Sequence, residues 1–284
     1  MGEFPDFPTA AVVATEAACG IPVELEEISY RRGAAVWKAA GPEGAVAVKA
    51  DDGDGVAVTQ REAAVLKAIG WPGYLLASGG DEGVAWLVTP WFAGPSTWHA
   101  FAPVRGTADG KSGALVASVD LCRAVAALHS SGWIHADLQP SHGIHTDHGV
   151  RLIDCSWSWR TGTEPAAGFR GGLTHLVAPE LAASIEAGRR PVTPSAAADV
   201  YALAGTLWTC LTGRWPLDYT AAGIEPVRLT PAEIRVRIAS RCVPLDTAAP
   251  WPAFQDILRP VLLGRANDRP TAAELAESLA KVAG

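Results

Sequence analysis

Residues 134–156, IHADLQPSHGIHTDHGVRLIDCS, constrain this chain more tightly than any other stretch. Asp137 sits in an irregular HAD-LQP loop, and Asp154, 17 positions further on, ends the short apolar run 150–153. Between them, residues 143–145 and 150–153 flank Thr146-Asp147-His148-Gly149, a cluster of turn formers. The spacing therefore predicts loop, strand, tight turn and strand. A hairpin of that kind sets both carboxylates on one side of a cleft.

The flanking sequence divides by periodicity. Residues 1–21 are rich in Ala and Pro and read as a peripheral extension. Short strand-like runs follow at 24–30, 34–39 and 45–50, punctuated by Gly33 and by Gly41-Pro42-Glu43-Gly44, which predicts an antiparallel meander. Residues 59–69, TQREAAVLKAI, are helix formers stopped by Gly70. Two more strands are expected near 74–77 and 84–89. From residue 112 the pattern turns helical: Leu115, Val119, Cys122, Val125 and Leu128 fall on one helix face.

At 284 residues the chain suffices for two compact lobes, and 49% apolar against 19% charged residues marks it as globular. A net charge of −7 without a basic block speaks against nucleic acid or an anionic membrane as partner. No Lys or Arg precedes Arg31, and Asp6 stands where a myristoylation signal wants Ser or Thr. The longest uncharged apolar helix candidate, 200–213, falls short of the ~20 residues a bilayer needs. The expectation is a cytoplasmic protein with no membrane contact. Five scattered cysteines without a CxxC pair read as reduced thiols.

The central stretch spells HADLQPSH from His135 to His142 and then Asp154-Cys155-Ser156. It resembles the catalytic loop and metal-binding motif, HRDLKPxxN and DFG, of the eukaryotic-like (Hanks-type) protein kinases. Further landmarks stand in the family's order along nearly the whole chain. Ala45-Val46-Ala47-Val48-Lys49 is similar to the VAIK strand, and Glu62 to the acid of the following helix. Thr89, Pro90 and Phe92 stand where the family has its gatekeeper and hinge. Ala178-Pro179-Glu180 is an intact APE motif, residues 199–208 resemble the buried helix whose leading acid is Asp199, and residues 265–271 match the late arginine motif. Taken alone, Lys49 reads equally as a snorkelling lysine at a strand end, and Glu62 as a solvated helix charge.

The resemblance implies an α+β fold that is bilobal and protein-kinase-like. After the 1–21 extension comes a small antiparallel-sheet N-lobe with one helix over 22–90, then a larger helical C-lobe over 91–284. It implies an ATP-dependent phosphotransferase acting on Ser/Thr hydroxyls of a protein or peptide substrate. Lys49, braced by Glu62, would hold the phosphates; Asp137 would take the acceptor proton, with Gln139 beside it; Asp154 and His142 would ligate Mg²⁺. Val36, Ala47, Thr89, Pro90, Phe92 and Arg31 would contact ATP. Asp199 would anchor the catalytic-loop backbone, and Glu180 and Arg269 would form a buried ion pair.

Departures from the pattern keep other functions in view. The glycine-rich positions hold Ser29, Arg31 and Ala34; His142 replaces the metal-binding Asn; Ala136 replaces an arginine that senses phosphorylation; and Gln139 replaces a lysine. A pseudokinase scaffold and a small-molecule kinase are the alternatives, and a kinase preparing a precursor peptide for a partner enzyme is a special case of the main expectation. The trio His142, His145 and His148 is expected not to converge on a metal, because its steps of three cross a strand and a turn.

Overall fold

The computed structural model of the chain describes residues 6–31, 34–80 and 83–282. These form ten α-helices, a five-stranded antiparallel sheet and two two-stranded sheets, a mixed α+β fold. Two compact units divide it, Met1–Phe92 and Ala93–Gly284.

In the first unit, α1 (Thr9–Cys19) precedes β1 (Glu24–Arg31), β2 (Ala34–Gly41) and β3 (Gly44–Asp52). Then follow α2 (Val56–Ile69), β4 (Ala77–Gly80) and β5 (Val84–Pro90). The strands lie in the order β1-β2-β3-β5-β4, every neighbour antiparallel. The strand reading at 74–77 lies early: pairing begins only at Ala77. Alternation along β2 and β3 buries Ala35, Trp37 and Ala39 with Val46, Val48 and Ala50, each large apolar group contributing about 1.5–3 kcal/mol.

This buried face is where the sequence expectation fails. Residues 9–19 are not peripheral: Ala11, Thr15 and Cys19, four apart, turn one helix face inward, and Ala11 and Cys19 join the core with Trp37 and Val48. The Cys19 thiol donates to the Ala39 carbonyl at 3.4 Å, and the Glu43 N–H donates to the Cys19 carbonyl at 2.8 Å. The unit Met1–Phe92 therefore carries α1 besides α2, the one helix expected over 22–90. The second, α2, ends as its sequence indicated, with Gly70 in the left-handed region at φ +68° and its N–H returned to the Leu66 carbonyl.

The second unit contains α3 (Thr97–Ala100), α4 (Ala102–Gly106), α5 (Lys111–Ser130), β6 (Trp133–Ile134), β7 (Gly143–Thr146), β8 (Gly149–Leu152) and β9 (Trp159–Arg160). After these come α6 (Pro179–Glu186), α7 (Ala196–Thr212), α8 (Pro231–Ala239), α9 (Pro252–Leu263) and α10 (Ala272–Leu279). Helix α7 is its axis: every residue from 198 to 211 is buried, as expected of a helix apolar all round. The Ser195 hydroxyl caps it by accepting from the Ala198 N–H, and Gly213 at φ +70° ends it. By length and composition α5 is the one described helix long and apolar enough to cross a membrane; carrying Lys111, Asp120 and Arg123, it is not among the uncharged candidates of which 200–213 is the longest. Its apolar side, Val119, Cys122, Val125 and Leu128 included, is packed inside this unit, where α10 lies against it.

The expected Glu180–Arg269 pair is present and bidentate, at 2.6 and 2.8 Å. Only the arginine end is sealed: its side chain is 0% exposed, while that of Glu180 is 36% exposed. Thr271 and Glu274 cap α10 reciprocally, as their spacing predicts.

Candidate functional site

Two clusters of charge stand out, one in each unit. In the first, antiparallel register decides which side chains share a face. Val36 pairs with Lys49 and Lys49 with Leu87, while Lys38 pairs with Ala47 and Ala47 with Thr89. Paired residues point the same way, so Val36, Ala47, Lys49 and Thr89 line the sheet face opposite the one that α1 covers. Glu62 comes to this face from α2, and its Oε2 accepts from Lys49 Nζ at 2.8 Å. Side-chain exposures of 17% and 7% make this an interior ion pair rather than the solvated ends that each residue alone would suggest. Pro90 pairs with Val46 on the opposite side of the strand, and the Trp91 N–H donates to the Ala45 carbonyl at 3.0 Å. Phe92 packs its ring 5.1 Å from that of Tyr74. The Arg31 side chain, Arg32 and Gly33 lie outside the described residues.

In the second unit, β7 and β8 pair from Gly143↔Leu152 to Thr146↔Gly149, the hairpin that the spacing predicts, with Asp147 and His148 in its turn. The loop before it is fixed from below by Asp199. Its two carboxylate oxygens accept from the His135 N–H at 2.7 Å and the Ala136 N–H at 2.9 Å, and His129 Nε2 lies 3.0 Å from Oδ2. Ala136 adopts φ +66°, a left-handed backbone that costs an alanine roughly 1–2 kcal/mol and that these hydrogen bonds offset.

His135, fully buried, holds the next layer. Its Nδ1 accepts from the Asp137 N–H at 3.3 Å, and its Nε2–H donates to the Ile153 carbonyl at 3.1 Å. One ring thus ties the Asp137 loop to the residue before Asp154. Burial holds this imidazole below the usual histidine pKa and hence neutral, despite the opposing pull of Asp199.

The Asp137 carboxylate accepts from the Leu173 N–H at 2.9 Å, and Gln139 Nε2 stands 3.4 Å from both of its oxygens. A side chain at Gly172 would overlap Asp137, so a glycine there is a matter of space. Burial first, and then the charge of Asp154, push the Asp137 carboxyl up to about 7, where it can both take and release a proton. Asp154 itself is left-handed at φ +58°. One ligand atom each from Asp137, His142 and Asp154 lies within 4.8 Å of the other two.

The histidine trio disperses, as expected: His145 Nε2 bonds the Thr97 hydroxyl at 3.0 Å, and His148 is exposed. His142 belongs instead with the two aspartates. Beside the loop, a groove of about 470 Å³ is lined by Trp98, Gln139, Leu173, Arg214 and Trp215. Sequence reasoning assigned no role to His135, although its place two residues before Asp137 was the available signal. It also missed the Leu173 N–H, for which a sequence carries no signal at all. No protein-family model matches the chain, and no curated protein matches it.

Proposed function

We propose that the chain is an ATP-dependent phosphotransferase of the protein-kinase type, acting on Ser or Thr hydroxyls of a protein or peptide. The observation that carries this reading is the convergence of Asp137 and Asp154, 17 residues apart, on one small space in a loop whose backbone a buried carboxylate fixes. In the reaction the acceptor oxygen bonds the γ-phosphorus, the bond to the β-phosphate oxygen breaks, and the hydroxyl proton passes to Asp137. The Lys49 ammonium, oriented by Glu62, offsets phosphate charge. Gln139 orients the Asp137 carboxylate from one edge and borders the groove that would receive the acceptor. His142 and Asp154 supply the donors for a divalent cation, which, when bound, neutralises phosphate oxygens.

The test is phosphoryl transfer from labelled ATP to a peptide library, with nucleotide binding followed by thermal shift. Asp137→Asn is expected to lower turnover by about 10²–10⁴-fold while leaving nucleotide binding intact. Turnover unchanged in this variant overturns the assignment of the base.

A second reading, a scaffold that binds without transferring, has its own support. The Leu173 N–H takes one oxygen of the Asp137 carboxylate, and His142 stands where the family has its metal-binding Asn. Nucleotide binding without transfer to any peptide, or to a panel of small hydroxyl compounds, selects that reading.

A further inference from the structure

Magnesium asks for six oxygen donors in near-octahedral geometry and gives up water reluctantly. The donor set of the second unit does not match that demand, because one of its three members is an imidazole. His142 is 7% exposed, and its ring is not free to swing. Its backbone N–H donates to the Gln139 carbonyl at 3.0 Å, its carbonyl accepts from the Ile153 N–H at 2.9 Å, and Nδ1–H donates to the Asp137 carbonyl at 2.8 Å. With Nδ1 committed as donor, a neutral ring carries its lone pair on Nε2, and Nε2 faces Asp154 Oδ2 at 3.3 Å. Two donors bound cis to one cation at ~2.1 Å stand ~3 Å apart, close to the distance seen. A backbone carbonyl behind the ring, fixing tautomer and aim, is also how proteins hold ligating histidines.

We infer that Nε2 of His142 and the carboxylate of Asp154 form a mixed nitrogen–oxygen site selective for a divalent first-row transition ion, of which Mn²⁺ is the hardest, over Mg²⁺. Imidazole favours such ions, while the carboxylates suit Mn²⁺ equally well. The inference deepens the phosphotransferase reading and rests on it for the use of the cation, though not for its binding.

The experiment is Mn²⁺ binding to the full chain without nucleotide, followed by electron paramagnetic resonance, with Mg²⁺ as competitor. Pulsed measurements then detect nitrogen coupled to bound Mn²⁺. Expected are coupling to one histidine nitrogen, at least about a tenfold excess of Mg²⁺ needed to displace half the Mn²⁺, and loss of both in His142→Asn. His145→Asn retains both. Should His142→Asn fail to fold, ¹⁵N-histidine labelling of the unsubstituted chain decides, because the coupling must change with the isotope. Absence of nitrogen coupling, or displacement by equimolar Mg²⁺, overturns the inference and leaves a direct His142–Asp154 ion pair as the account. Nitrogen-bound Mn²⁺ without phosphoryl transfer sustains the metal assignment and refutes the kinase reading. Transfer supported equally by Mg²⁺, with no nitrogen coupling, does the reverse.

Discussion

Lys49 and Glu62 hold one another: a strand residue and a helix residue meet at 2.8 Å, and each orients the other. Asp137, His142 and Asp154 are held by the main chain. The Leu173 N–H fixes the first, the Asp137 carbonyl fixes the second, and a left-handed backbone sets the third. Beneath them, Asp199 grips two consecutive amides. A charge held by another charge depends on two side chains and on the packing of α2 against its sheet. Side chains held by backbone groups depend on loop conformation, and so on whichever group fixes that loop. Damage to the support of the second should spread to every member.

The strongest way to break this contrast is Asp199→Ala. It strands the His135 and Ala136 amides and removes the partner of His129, in a region where Asp199 itself is 2% exposed. Buried donors left unsatisfied cost about 1–3 kcal/mol each, so a loss of roughly 3–5 kcal/mol is expected from denaturant midpoints. Mn²⁺ binding at His142 should weaken with it. A variant that loses stability yet keeps the ion undisturbed would show that the loop holds its shape without Asp199.

Gly172→Ala comes next. Its methyl group overlaps Asp137, and forcing a carbon into a packed site costs about 1–3 kcal/mol. Because the Leu173 N–H that holds the carboxylate follows directly in the chain, displacement should lower transfer more than it lowers melting temperature. Equal effects on both would make Gly172 a packing residue only.

Lys49→Met sharpens the other side. Glu62 loses the ammonium that its largely buried carboxylate accepts from, for a destabilisation of roughly 1–3 kcal/mol, and nucleotide affinity falls. Glu62→Gln, keeping shape and a hydrogen-bonding group, should cost less.

How much of this was legible beforehand follows the same division. The 143–152 hairpin, the buried helix α7 and the caps at Gly70 and Thr271 declared themselves, since turn formers, apolar runs and capping pairs act locally. Lys49 and Glu62 were legible only as places in a family-like order; nothing local said that they touch. Helix α1 was misread because TAAVVATEAAC is small and apolar nearly all round, so no face is marked until a sheet selects Ala11, Thr15 and Cys19. His142 was placed beside Asp154 only by the family-like order, because it meets the two aspartates through the left-handed turns at Ala136 and Asp154, and neither position carries the glycine that would have signalled one.

The smallest effect expected is on pH, and it separates the clusters again, for the shifted histidines all lie in the second unit. His135, His145 and His175 are each held below the ordinary value of 6.5, in every case chiefly by burial. The unfolded chain therefore binds more protons than the folded one just below that value. Stability rises with pH wherever this holds, by at most ~1.4 kcal/mol per pH unit per proton. The contribution is complete above about 6.5 and is lost as pH falls from there toward the depressed folded-state values. Asp137 acts in the opposite sense, since a carboxyl raised to about 7 favours the folded chain as pH falls. Denaturant midpoints of Asp137→Asn between pH 7.5 and 5.5 should accordingly drop more steeply than those of the unsubstituted chain. His175→Gln, which removes a ring stacked 4.5 Å from Trp215 and well apart from the aspartates in sequence, should flatten that drop. A midpoint that stays level through this range in Asp137→Asn would mean that the buried imidazoles are already charged in the folded chain, and that Nδ1 of His135 does not accept from the Asp137 N–H.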